Sequence, residues 1–268
     1  MNIHPTAIVH PKAQLASDVT VGAYCVIGEH VTIGKGTRLL SHVVVDGWTE
    51  IGERNELHPF ASIGGAPQHL GYKGEPTKVV IGDDNILREY VTVNRATVSG
   101  GGVTSLGNHN FLMSYVHLAH DCRLGNHLIV ANSANFAGHI TVGDHAIIGG
   151  LTGVHQFVRI GGYSMVGGCC ALSQDVPPFT RAAGGYRARL YGLNSVGLKR
   201  HQFSVERIAA LRKAFDLIFR EGHRIAEAAK LARERFVGNA DVQTMVDFLS
   251  GTKRGISRAA SAEDEADE

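Results

Sequence analysis

The sequence predicts a mainly β protein: a parallel β-helix of six-residue repeats followed by a small α-helical domain. Three observations carry this. An apolar residue recurs at every sixth position over most of the chain, a small or β-branched residue mostly stands four places after it, and the spacing changes class after Pro177-Pro178. A period of six matches neither the 3.6 of an amphipathic helix nor the two of an ordinary strand. An antiparallel sandwich would instead need turn signals every ~8 to 12 residues.

The first run is Ile3, Val9, Leu15, Val21, Ile27, Ile33, Leu39, Val45, Ile51, Leu57 and Ile63, without a missed step. The companion positions read Ala7, Ala13, Val19, Cys25, Val31, Thr37, Val43, Thr49, Asn55 and Ala61. Large apolar residues are expected to point inward and small ones to fit near the corners. Gly22, Gly28, Gly34 and Gly52 are expected to supply corner dihedrals that other residues resist. The phase fails after Ile63, where Gly64-Gly65-Ala66-Pro67 and Gly74-Glu75-Pro76 read as a loop over about 64–80. It returns at Ile81, Leu87 and Val93, and breaks again at Ser99-Gly100-Gly101-Gly102, a loop over about 98–105. From Leu106 it runs through Leu112, Leu118, Leu124, Val130, Phe136, Val142, Ile148, Val154, Ile160, Val166 and Leu172.

Pro177-Pro178 is expected to end the coil, giving a β-helix domain over 1–178 and a helical domain over 179–268. Residues 179–203 read as irregular or short-helical. From Ser204, a helix cap, Ile208, Leu211, Phe215, Ile218 and Phe219 recur at three and four, with Gly222 as a stop. Further helices are expected over about 223–236 and 241–250, and the acidic run 262–268 as a solvated tail.

Composition narrows the function classes. The 268 residues carry 26 basic and 25 acidic side chains, a net charge of +1, which gives no support for nucleic-acid binding. No apolar stretch is long enough to span a membrane. Met1-Asn2-Ile3-His4-Pro5 begins no targeting signal, so a cytoplasmic protein is expected. Cys25, Cys122, Cys169 and Cys170 lack metal-type spacing, and the last two suit small buried positions.

His120 and Asp121 are the polar pair that stands out. Such a pair is either a general base with its orienting carboxylate or two surface residues. The hexads resemble those of hexapeptide-repeat acyltransferases, which implies three hexads per triangular coil of 18 residues, wound left-handed. Residues n and n+18 then stack about 4.8 Å apart. His120 falls over Gly138 and Gln156, and Asp121 over His139 and Phe157, on what reads as an exposed flank that also gathers His117 and His155. A second ladder, His109, His127, His145 and Tyr163, occupies another corner and reads as structural or solvated.

Longer motifs narrow the resemblance. Gly74-Glu75-Pro76-Thr77, His117-Leu118-Ala119-His120-Asp121-Cys122, Ala137-Gly138-His139, Val154-His155-Gln156-Phe157, Gln174-Asp175-Val176-Pro177-Pro178 and Gly197-Leu198-Lys199-Arg200 are similar to segments of the acyl-carrier-protein-dependent UDP-N-acetylglucosamine 3-O-acyltransferases of lipid A biosynthesis. That resemblance implies transfer of a 3-hydroxyacyl chain from acyl carrier protein to the sugar 3-position in a homotrimer. No cofactor is implied beyond the carrier's phosphopantetheine arm, and no metal. It implies His120 as base, Asp121 as its orienter and the Gly138 N–H as oxyanion donor. Lys73, His117, His139, His155, Gln156, Asn194 and Arg200 would bind the nucleotide sugar, and Gly168 would set acyl-chain length. Three departures stand against it: His69-Leu70-Gly71-Tyr72-Lys73 where the family has Asp-Leu-Lys-Tyr, Val196 for a Glu, and Gly184-Gly185-Tyr186-Arg187 for a Gly-Asn segment. They raise a 3-amino sugar as a second possible acceptor. A zinc carbonic anhydrase of the same β-helix class and a non-enzymatic structural β-helix compete with the acyltransferase.

Overall fold

In the computed structural model, which describes residues 1–261, the hexads form a left-handed parallel β-helix of triangular section. Each hexad gives one short strand, such as Thr20–Val21, Val26–Ile27 and Val31–Ile33. Successive strands join three different sheets, of 11, 9 and 8 strands. Within a sheet the pairing is eighteen residues apart, as in Thr20↔Arg38 and Leu118↔Phe136. One apolar residue per hexad points into the prism, and Leu39, Leu57, Leu118 and Phe136 are fully buried. Each such side chain stabilises the coil by about 1.5–3 kcal/mol.

The small slot is buried as well, by Val19, Cys25, Val43 and Ala61. Where it holds a polar residue the side chain is hydrogen-bonded: Thr37 Oγ1 donates to Gly52 O at 2.9 Å, and Asn85 Nδ2 to Asn55 Oδ1 at 2.9 Å. The glycines have a different reason from the one expected. Gly22 and Gly34 do not adopt positive φ; a Cβ on them would lie 2.5 Å from Leu40 O and 2.6 Å from the Gly52 carbonyl carbon. Close approach of adjacent coils excludes a side chain there. The left-handed conformation falls instead on bulky corner residues, among them Tyr24, His42, Phe60, Tyr90 and Tyr115. Their rings stack 4.8–5.0 Å apart, which offsets the backbone cost.

The second ladder is structural. His109, His127, His145 and Tyr163 stack at 4.8, 4.7 and 4.6 Å. Its upper end is partly covered, because His201 stands edge-on against His145 and Phe203 against Tyr163.

Two excursions leave the coil and return it to register, the first after a bulge between Ile63 and Gly65. Glu56 pairs with Ile86, thirty residues on, and Ile86 with Phe111, twenty-five on, so the excursions add 12 and 7 residues to the ordinary 18. Strands Ser62–Gly65 and Lys78–Ile81 bound the first, and Thr92–Asn94 and Val103–Leu106 the second. Each excursion is therefore placed by paired strands on both sides.

Stacking continues past Pro177-Pro178. Val176 bridges to Ile160, and Thr180–Ala183 lies parallel on Met165–Val166 before forming an antiparallel pair with Arg189–Leu193. This corrects the irregular reading over 180–193, whose antiparallel pair carries no hexad period, while the short-helical reading holds at Ser195–Arg200. Four helices follow: α1 (Ser195–Arg200), α2 (Val205–Phe219), α3 (Ile225–Arg235) and α4 (Ala240–Phe248). Ser204 caps α2 by accepting from the Arg207 N–H, and Gly222 follows it at φ +81. Leu211, Ala214, Ile218, Ala232 and Met245 form a second core. Cys169 is exposed at a coil corner, contrary to expectation, while Cys170 is buried. The acidic run 262–268 lies outside the described residues.

Candidate active site

His120 and Asp121 occupy the corner between strand His117–Leu118 and strand Arg123–Leu124. Asp121 takes the left-handed conformation there, which turns its carboxylate back beside His120. Nδ1 of His120 lies 2.7 Å from Asp121 Oδ2. The same carboxylate accepts from the Thr97 N–H at 2.9 Å and the Thr97 hydroxyl at 2.7 Å. The Asp121 N–H donates to Thr104 Oγ1 at 2.8 Å. With a carboxylate as its acceptor, Nδ1 of His120 carries the proton and Nε2 the lone pair. This hydrogen-bond network assigns the tautomer.

The Asp121 side chain is 0% exposed and that of His120 11%. The flank read as exposed is therefore closed at His120 and Asp121, where both excursions fold over it, and stays open at His155 and Gln156. The second puts Gly100 on Asp121 so closely that a Cβ there would fall inside the carboxylate. The first stands His69 edge-on to His120, ring centroids 5.3 Å apart. Sequence periodicity misses Thr97, Gly100 and His69, since all three lie where the period fails.

The register delivers the rest of the column. A Cβ on Gly138 would lie 2.5 Å from Cε1 and 2.9 Å from Nε2 of His120, so the imidazole covers the glycine's open face. Among the described residues, the Gly138 N–H is given to no protein acceptor. His139 stands edge-on to His120 at 5.2 Å and stacks on Phe157 at 4.5 Å. Burial holds its imidazole below the ordinary value of 6.5, against the opposing pull of Asp121. His117 sits on the same sheet, its Nδ1 2.7 Å from Thr92 Oγ1, and burial and then His120 lower it likewise. His155 and Gln156 are exposed one coil beyond Gly138, His155 Nδ1 lying 3.1 Å from Gln156 O. The buried Cys122 thiol is pushed up to about 12, chiefly by burial, which removes it as a nucleophile at neutral pH.

His120, Asp121 and His139 also have the composition of a metal site, their ligand atoms lying within 4.8 Å of one another. Asp121 already accepts three hydrogen bonds there, so the group is organised around a proton on His120.

The remaining predicted residues lie elsewhere in the chain. Lys73 is exposed on the first excursion, its backbone N–H on Glu75 Oε2 at 2.9 Å. Asn194 caps α1 by accepting from the Gly197 N–H at 3.1 Å and donates Nδ2 to Tyr163 O at 3.0 Å, so its amide serves the fold at both ends. Asn194 and Arg200 line a cleft of about 550 Å³, with Met165, Arg181, Arg212 and Phe215, against the outer face of the first sheet. His120 lies at the corner between the other two sheets, so one chain does not bring that cleft to it. Gly168 stands between the first sheet's Val166 and the second sheet's Ala171, a different corner again.

Comparison with known proteins agrees over the whole chain. A family described as "Udp N-acetylglucosamine O-acyltransferase; Domain 2" matches residues 175–257, and one described as "Bacterial transferase hexapeptide (six repeats)" matches residues 1–35. The acyl-[acyl-carrier-protein]–UDP-N-acetylglucosamine O-acyltransferase of Thermodesulfovibrio yellowstonii is 51% identical over 256 residues, covering 96% of this chain and 99% of that protein. Its namesake in Syntrophobacter fumaroxidans is 47% identical over 258 residues, covering 96% and 100%. Among solved structures, LpxA of Acinetobacter baumannii superposes with a TM-score of 0.93 at 45% identity, covering 96% of this chain and 99% of that one.

Proposed function

This chain belongs to the UDP-N-acetylglucosamine O-acyltransferase family, and on that premise we propose that it transfers a 3-hydroxyacyl group from acyl carrier protein to the 3-hydroxyl of UDP-N-acetylglucosamine, the first step of lipid A biosynthesis. The observation that carries the chemistry is the His120 pair, with Nδ1 held by Asp121 and the imidazole ring over Gly138. Nε2 takes the proton from the sugar hydroxyl as its oxygen attacks the thioester carbonyl. Asp121 stabilises the imidazolium so formed. The Gly138 N–H stabilises the oxyanion of the tetrahedral adduct. Collapse forms the ester, breaks the carbon–sulfur bond, and returns the proton from His120 to the departing thiolate of the carrier's arm.

His117, His139, His155 and Gln156 position the sugar around His120, and Lys73 reaches it from the first excursion. Arg200, in the cleft beside Asn194, takes the diphosphate. Because that cleft and His120 face different ways in one chain, the working site joins two copies, which supports a homotrimer with the cleft of one copy facing the His120 corner of the next. Gly168 limits the acyl chain. The enzyme works in the cytoplasm with a carrier-bound donor and no metal, and no helix of the described residues is long and apolar enough to cross a membrane. The test is an acyl-transfer assay pairing a panel of 3-hydroxyacyl carrier proteins with UDP-N-acetylglucosamine. Formation of the 3-O-acyl product from one of them is expected, and no transfer from any overturns the reading.

A further inference from the structure

The cleft of about 550 Å³ against the first sheet is basic: Arg181, Arg200, Arg212 and Arg220 line it, and Asp216 is the one acid among its described lining residues. Asp216 lies 3.6 Å from Arg220, and Arg212 Nη2 donates to Ser195 Oγ at 3.2 Å. The lining therefore carries a net positive charge, and the apolar Met165 and Phe215 beside it strengthen the field by excluding water. Guanidiniums arranged in this way accept carboxylates as readily as phosphates.

The chain itself leads carboxylates there. Ala259 bridges Leu190 in parallel, the Leu190 N–H donating to Arg258 O at 2.9 Å and the Ala260 N–H to Leu190 O at 2.8 Å. The chain thus runs beside Arg189–Leu193 in the direction of that strand, and Tyr191, Gly192 and Leu193 of the strand line the cleft. The described residues end at Ser261, and the sequence continues Ala262-Glu263-Asp264-Glu265-Ala266-Asp267-Glu268, five acids in seven residues. Extended, a segment of that length spans about 23–25 Å, enough to cross a cleft of that volume.

We propose that the acidic run 263–268 docks in the arginine cleft of its own chain and competes there with the diphosphate of the nucleotide sugar. The docking rests on the cleft and on the direction of the chain; the competition rests on the reading above, in which Arg200 takes that diphosphate. Tethering keeps the carboxylates at a high local concentration. Exposed ion pairs contribute little each, so the run raises the sugar concentration needed for turnover without shutting the cleft, and saturating sugar displaces it.

The experiment compares the full-length wild type with a full-length variant carrying Glu263→Gln, Asp264→Asn, Glu265→Gln, Asp267→Asn and Glu268→Gln. UDP binding is titrated calorimetrically, and acyl transfer is followed with UDP-N-acetylglucosamine as the varied substrate. The variant is expected to bind UDP about fivefold more tightly at low salt, the scale of one or two exposed ion pairs, and to lower KM by the same factor at unchanged kcat. In about 1 M sodium chloride, where charges are screened beyond ~3 Å, the two chains are expected to bind UDP alike. Equal UDP affinity at low salt, or a difference that persists at high salt, overturns the proposal while leaving acyl transfer intact. UDP binding by neither chain overturns the assignment of the diphosphate to this cleft, and the competition with it. Acyl transfer by neither chain overturns the acyl-transfer reading instead, and the UDP titration then still decides the docking.

Discussion

Thr97 gives Asp121 two hydrogen bonds, one from its backbone N–H to Oδ1 at 2.9 Å and one from its hydroxyl to Oδ2 at 2.7 Å. The oxygen that takes the hydroxyl is the one that holds His120. A fully buried carboxylate needs such donors, and these fix the direction in which it presents itself to the base. Thr97→Val removes the hydroxyl without changing shape. Hydrogen bonds to charged groups contribute about 1.5–3 kcal/mol, so kcat is expected to fall by about 10- to 100-fold with KM for the sugar little changed, and Thr97→Ser to restore it. Steady-state kinetics of the two variants decide the point.

Loss of the proposed base itself is expected to have a larger effect. His120→Ala is expected to lower kcat by about 10²- to 10⁴-fold while the oligomer and thermal unfolding stay near wild type, because the coil is held by inward residues such as Leu118 and Phe136 rather than by the imidazole. Full retained activity would refute the assignment.

Gly138→Ala tests the approach of two coils. The added methyl would lie 2.5 Å from Cε1 of His120, and the ring can escape it only by leaving Asp121. Turnover is expected to fall by about 10²- to 10³-fold, the scale of a lost oxyanion contact, with substrate affinity by direct binding largely kept. An alanine variant with normal kcat would show that Nε2 works from some other position.

Acid sensitivity of the fold follows from three histidines. Burial holds His117, His139 and His145 below the ordinary 6.5, so they stay neutral in the folded chain where the unfolded chain takes up protons. Unfolding then binds protons, and stability declines as pH falls through about 6.5 and below until the folded-state groups also titrate. Unfolding temperatures between pH 8 and pH 5.5 should show this decline. His145→Phe should flatten it, since Nδ1 of His145 is buried without a partner and phenylalanine already adopts the same left-handed conformation at the corner residues Phe157 and Phe179.

The fold was legible because it repeats. The hexad runs from Ile3 to Ile63 and from Leu106 to Leu172, and with the eighteen-residue coil that the family resemblance implies, His120, Gly138 and Gln156 could be stacked. The antiparallel pair after Pro178 could not, since its four- and five-residue strands repeat nothing. Nor could the exposure of the site. Thr97 reaches Asp121 and His69 reaches His120 from segments defined by the failure of the period, where six-residue spacing carries no information. The glycines after the apolar residues were visible, but their reason was steric contact between coils, a tertiary fact.

The two excursions enlarge single coils by 12 and 7 residues and return the chain to the register it left. His120 and Gly138, the proposed base and oxyanion donor, belong to the coil, whereas the groups that close over His120 belong to the inserts. Because the lengthened strands that bound the inserts bring the chain back into register, the spans between them can differ in length while the coil above and below stays in place. The surroundings of His120 can thus vary with the inserts while the coil that carries His120 and Gly138 stays the same.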